Sequence, residues 1–118
     1  MSVMNEKVNS MPRSKKPSYP LDALQVMEVV WQDAEEVGDI GWNNIKDALK
    51  SAKKPCPIMH SIGYVINLTE SHIALLSTIG PNVCSTLEKI PRGWILRETI
   101  IRDGETLEDH REQQKRER

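Results

Sequence analysis

Between residues 21 and 102 short apolar runs alternate with polar punctuation at intervals that suit strands better than long helices. Leu24 to Trp31 (L-Q-V-M-E-V-V-W) is rich in β-branched residues and predicts a first strand, ended by Gln32-Asp33-Ala34. After Gly38-Asp39-Ile40-Gly41 the period changes. Trp42, Ile45 and Leu49 recur at helical spacing with Ala48 and Ala52 alongside, while Asn43, Lys46, Asp47 and Lys50 take the opposite face. The spacing predicts one short inserted helix within 39–54, with Asp39 as its N-cap; Pro55 and Pro57 forbid its continuation. Ile58 to Leu68 then sets Ile62, Tyr64, Ile66 and Leu68 on one side of a strand, with Gly63 at a sharp bend. Beyond a polar tip, Thr69-Glu70-Ser71, the pattern predicts a return strand over His72–Ile79 and a turn at Gly80-Pro81-Asn82. A fourth strand follows over Val83–Ile90, a stop at Pro91-Arg92-Gly93, and a fifth strand over Trp94–Ile101.

Five short strands and one helix in about eighty residues describe a mainly β domain, a small barrel or strongly bent sheet with one short inserted helix. Phe is absent, so the aliphatics and Trp31, Trp42 and Trp94 carry the core, with Trp31 and Trp42 assigned to it by their periodicity. A core of this size is modest, and oligomerisation would bury more area and cover open edges.

The flanks differ from this pattern. Residues 1–20 hold three prolines and four bases against one acid, with almost no apolar periodicity; they are expected to form a disordered N-terminal arm. Residues 103–118 hold six acids and four bases, with Leu107 the lone aliphatic. They read as a charged, disordered C-terminal tail, or a frayed helix without an apolar face to dock. The domain proper is therefore 21–102, and it carries eight bases against ten acids. With a net charge of −1 over 118 residues, any basic surface is local, which argues against tracking a long polyanion. No h-region marks the N-terminus and no apolar run approaches a membrane span, so the expectation is a cytoplasmic protein with no membrane partner and with Cys56 and Cys84 as free thiols.

Ser61-Ile62-Gly63-Tyr64-Val65-Ile66-Asn67-Leu68, a polar tip and Ile73-Ala74-Leu75-Leu76 together resemble the first motif of the Sm-like small β-barrel proteins. Ile90-Pro91-Arg92-Gly93-Trp94-Ile95-Leu96 resembles the second, in which a short Arg-Gly turn joins the last two strands. The likeness spans residues 24–102, with the 39–54 helix as an insertion, and the expectation it implies is a five-stranded SH3-like or Sm-like small barrel with that one short inserted helix. Val30-Trp31-Gln32-Asp33-Ala34 and Gly41-Trp42 resemble small bacteriophage and cyanophage proteins, some of them Sm-like, which implies a phage-encoded protein acting in the host cytoplasm. The chain departs from the family where its first motif places Asp in the tip and Asn on the return strand: here stand Thr69, Glu70, Ser71 and His72, so the family's uracil pocket is not reproduced. Of the family's binding residues, Arg92 and Gly93 match.

Metal and catalytic chemistry are thinly supported. Cys56, His60, His72 and Cys84 are zinc-ligand types without a knuckle spacing, and no metal or other cofactor is expected. Ser61, His60, His72 and Asp33 offer the groups of a nucleophilic triad without a nucleophile elbow, and the six glycines form no phosphate loop. The expectation is a non-enzymatic, homo-oligomeric ring that binds RNA or a small nucleotide, sequestering a host signal in the phage setting. Its ligand-binding residues are Arg92, Gly93, Trp94, Asn67, Thr69 and His72, with Trp94 offering a stacking face. The alternative is an SH3-like docking module for a host or virion protein.

Overall fold

A computed structural model of the chain describes residues 21–117. The arm expected over 1–20 lies outside the described residues. A 3₁₀ turn at Leu21–Ala23 leads into β1 (Val26–Gln32), followed by α1 (Ile45–Ala52), β2 (Ile58–Leu68), β3 (His72–Leu76) and β4 (Leu87–Pro91). A 3₁₀ turn over Arg92–Trp94 joins β4 to β5 (Ile95–Arg102), and α2 (Leu107–Glu117) follows. The strands form one antiparallel sheet in the order β4-β3-β2-β1-β5.

That order sets a geometric problem. In a flat sheet the outermost strands β4 and β5 would lie four steps, about 19 Å, apart. They would also point the same way, so the link between them would have to run back along a strand as well. A three-residue 3₁₀ turn rises only about 6 Å. The sheet must therefore coil on itself, and two devices in β2 permit this. At Gly63 the backbone of β3 comes so close that a Cβ would stand 2.6 Å from the Leu76 carbonyl oxygen. Between Val65 and Asn67 the register with β3 shifts by a bulge, which bends the strand and sharpens its twist. The bend does not complete a barrel: β4 and β5 share no ladder among the described residues, and the sheet is open. The expected closed barrel is thus corrected to a coiled, open sheet. The link delivers β5 to β1, with which it pairs along Ile95–Arg102, and β4 keeps β3 as its ladder partner.

Inside the curl sit Met27, Val29, Val65, Ile73, Leu75 and Ile90, with Trp31 and Ile95 packed against them. Burying side chains of this kind stabilises by about 1.5–3 kcal/mol each. The two faces of β2 are not as the alternation implied. Gly63 and Val65 are buried while Ile62 is 57 % exposed, because Ile62 pairs with Glu28 on the face away from the core.

The remaining expectations shift at element ends. The return strand stops at Leu76 rather than Ile79, and β4 begins at Leu87 rather than Val83; Val83 to Thr86 belong to a loop tied by an Ile79–Cys84 bridge and by Ser85 Oγ, which accepts from the Ser77 and Thr78 amides at 3.0 and 3.2 Å. Cys84, within the expected fourth strand, is exposed. The inserted helix starts later than expected: Asn44, not Asp39, is its N-cap, with Oδ1 accepting from the Lys46 and Asp47 amides at 2.8 and 3.4 Å. Trp42 precedes that cap and is fully exposed, which overturns its assignment to the core. Ile45 and Leu49 are exposed on α1 as well.

The segment expected as a charged tail is built into the fold. Glu105 makes a parallel bridge to Leu24, donating its amide to the Ala23 carbonyl and accepting from the Gln25 amide, both at 2.9 Å. Buried Thr106 accepts the Asp109 amide on its Oγ1 at 3.0 Å and starts α2, which packs against β2. His110 Nδ1 lies 2.9 Å from Glu105 Oε1. Arg102 clamps the other side, donating from Nε and Nη2 to the Leu24 carbonyl at 3.1 and 2.8 Å, with its guanidinium over the Tyr64 ring.

Candidate functional site

The β2–β3 tip is short and polar, so its backbone groups find partners in its own side chains. Thr69 is the hub: its Oγ1 accepts from the Ser71 and His72 amides at 3.2 and 3.0 Å, and its amide donates to the His72 carbonyl at 3.0 Å. His72 Nδ1 lies 2.9 Å from Ser71 Oγ and 3.2 Å from Thr69 Oγ1. Coiling of the sheet brings the 92–94 link onto this tip. The Arg92 amide donates to the Ser71 carbonyl at 2.9 Å, and Arg92 Nε donates to the Thr69 carbonyl at 3.0 Å. Arg92 Nη1 pairs with the carboxylate of Glu98 on β5. Nη2 has no protein partner among the described residues.

Of the six residues singled out in the sequence, three therefore meet at one corner: Thr69, His72 and Arg92. Asn67 lies just before them on β2, half-buried, paired with Ala74 beyond the bulge. Gly93 is exposed, with nothing within 4 Å of where a Cβ would stand. Trp94 turns away from the corner and stacks on Trp31, ring centroids 6.3 Å apart and planes 16° from parallel. Trp31 is itself fixed by an Nε1–H bond to Ser61 Oγ at 2.9 Å. Two neighbouring features result, a polar corner and an aromatic ledge, separated by Gly93.

On the ledge side a shallow groove of about 320 Å³ is lined by Gln32, Asp33, Ala34, Cys56, Trp94 and Leu96. Its floor is tied together: Gln32 Nε2 donates to the Cys56 carbonyl at 3.1 Å and the Asp33 amide to the Pro57 carbonyl at 2.9 Å. Sequence reasoning missed Glu98, which occupies the Arg92 guanidinium, and the groove residue Gln32, and it weighed Asp33 and Cys56 only for catalysis and zinc. The only signal for Glu98 was its place on the strand after Arg92; the groove joins three segments, 32–34, 56 and 93–96, that are more than 20 positions apart and had no local signature.

The Thr69 hydroxyl also donates to the His72 carbonyl at 3.2 Å, so the corner offers the Ser71 hydroxyl, an imidazole and a guanidinium edge, groups that suit phosphate oxygens, beside the Glu98 and exposed Glu70 carboxylates. Among the described residues no three His, Cys, Asp or Glu side chains gather where they could hold a metal ion; Cys56 and Cys84 are apart and exposed. Among the described residues no helix is long and apolar enough to cross a membrane. No family model, curated protein or solved structure matches the chain.

Proposed function

We propose that this protein is a non-enzymatic, Sm-like binding module that assembles from identical copies and holds RNA or a small nucleotide at the Thr69–His72–Arg92 corner. The observation that carries the reading is the strand order β4-β3-β2-β1-β5 with a three-residue link, since that connection sets Arg92 against the β2–β3 tip. It also leaves two free margins, β4 and β5, whose unpaired backbone groups suit edge-to-edge joining of copies into a ring. Phosphate would engage Nη2 of Arg92 and the Ser71 hydroxyl and His72 ring of the tip, in competition with Glu98. A discrete corner of this kind suits a chain whose net charge is −1.

Light scattering of the purified protein tests the assembly, and titration of a short single-stranded RNA tests the site. Arg92→Ala should weaken RNA binding and reduce its salt slope by about one. A strict monomer, or undiminished binding by Arg92→Ala, overturns the reading. One observation favours a second reading, a protein-docking module: Trp42, Ile45 and Leu49 stand exposed on the inserted segment. That reading expects one dominant protein in a pull-down after nuclease treatment, lost in a Trp42→Ser, Leu49→Ser double variant.

A further inference from the structure

The groove beside Trp94 lacks the guanidinium that marks the corner. No lysine, arginine or histidine lines it, and its one ionised group is the Asp33 carboxylate. Exposed Glu35 and Glu36 follow Asp33 along the chain and exposed Lys53 and Lys54 precede Cys56, so it is the lining itself, with a carboxylate and no cation, that disfavours phosphate. One wall is Trp94, 41 % exposed and backed by Trp31, which leaves indole surface toward the groove as a rigid platform. The carboxylate is held too: Oδ1 accepts the Ala34 amide at 2.8 Å, and among the described residues nothing engages Oδ2. A platform with a fixed acceptor pair suits a flat, neutral ligand that presents donors along one edge.

Resting on the nucleotide reading above, we infer that the groove takes the base of the ligand and that this base is guanine. Guanine carries two adjacent donors, N1–H and the N2 amino group, which a carboxylate accepts as a fork. Adenine and cytosine set an acceptor beside their amino group and uracil sets carbonyls on both sides of N3–H, so each would bring a lone pair against Asp33. Stacking on Trp94 is indifferent to base identity, and the carboxylate supplies the choice. With the base against Trp94, the open surface over Gly93 leads to Arg92 and the Ser71 hydroxyl, where the phosphate belongs. The Asp33 groove and the Arg92 corner thus divide one nucleotide between them.

The test titrates guanosine, and the 5′-monophosphates of all four nucleosides, into a Trp42→Phe variant and follows quenching of the remaining tryptophans. Guanosine monophosphate should bind about tenfold or more tighter than the other three. Asp33→Asn should abolish that preference with the circular dichroism spectrum unchanged, and guanosine should lose affinity in Asp33→Asn but not in Arg92→Ala. Equal binding of all four nucleotides, weakened by Arg92→Ala, overturns the groove assignment and leaves the corner standing. Guanosine bound through Asp33 with no phosphate contribution from Arg92 supports the groove and overturns the corner. No binding of any of them, together with no RNA binding, overturns both.

Discussion

Arg92 and Thr69 stand 23 positions apart in the chain, yet Arg92 Nε reaches the Thr69 carbonyl at 3.0 Å. The bond fastens the link between the sheet's outermost strands to the tip between two inner ones. It is local evidence of the global curl, since a flat sheet would place these groups far apart. The guanidinium that makes it is about one-third exposed, so it serves the fold on one side and faces solvent on the other.

Arg92→Ala should therefore destabilise the protein as well as weaken binding. Losing a charge-assisted bond to a half-buried carbonyl is expected to cost about 1–2 kcal/mol, read as a lower midpoint in urea with an unchanged slope. Glu98→Gln removes only the solvent-screened ion pair and should cost less than about 1 kcal/mol. Equal costs for the two variants would show that the pair with Glu98, not the bond to Thr69, holds the link.

Gly63→Ala is expected to be severe. The new methyl would stand 2.6 Å from the Leu76 carbonyl oxygen, which is backbone and cannot swing aside. Separating β2 from β3 at the bend should cost about 2–3 kcal/mol or more, measurable by thermal unfolding. A near-neutral result would mean that the close crossing of these strands does not exist.

Gly104→Ala tests the docked C-terminal helix. Its Cβ would lie 2.3 Å from the Ala23 carbonyl oxygen and 2.7 Å from the Gln25 amide nitrogen, so the Leu24–Glu105 bridge could not form. The expected outcome is faster amide exchange over residues 105–117 with the β1–β2 and β2–β3 ladders still protected. Unchanged exchange in that segment would contradict the docking.

On the inserted segment the expectation is the reverse. Trp42→Ser, Ile45→Ser and Leu49→Ser remove exposed apolar groups and should each change stability by less than about 0.5 kcal/mol. Asn44→Ala deletes the cap of α1 and should lower helix content, at a cost to that helix of about 1 kcal/mol. Trp42 should also dominate acrylamide quenching, and its removal should shift the residual emission to shorter wavelength. Strong destabilisation by Leu49→Ser would place α1 against the body of the protein.

The pattern of apolar residues revealed the number of strands, the inserted helix and the turn at Arg92, because each is written in residues close together. Trp42 was misplaced because a helical period says which residues share a face, not whether anything covers it. In β2 the alternation was readable but its inner side was not: Gly63 has no side chain to signal burial, and the bulge after Val65 changes phase. The helix after Gly104 looked unanchored because its anchors, buried Thr106 and the bridge to Leu24, depend on a pairing across some eighty residues. At the candidate site, Thr69, His72 and Arg92 were found through short motifs. Asp33 and Cys56 were brought together by the pairing of β1 with β2, whose register sets Gln32 against Ile58 across the insertion.

The brevity of the 92–94 connection also bears on how the molecule comes apart. Margin strands usually fray independently, each peeling from its single neighbour. Here β4 cannot lift away without pulling on β5, since barely one turn of chain joins them. Exchange of their backbone amides should then follow one shared opening event, with a common response to added denaturant at both borders of the sheet.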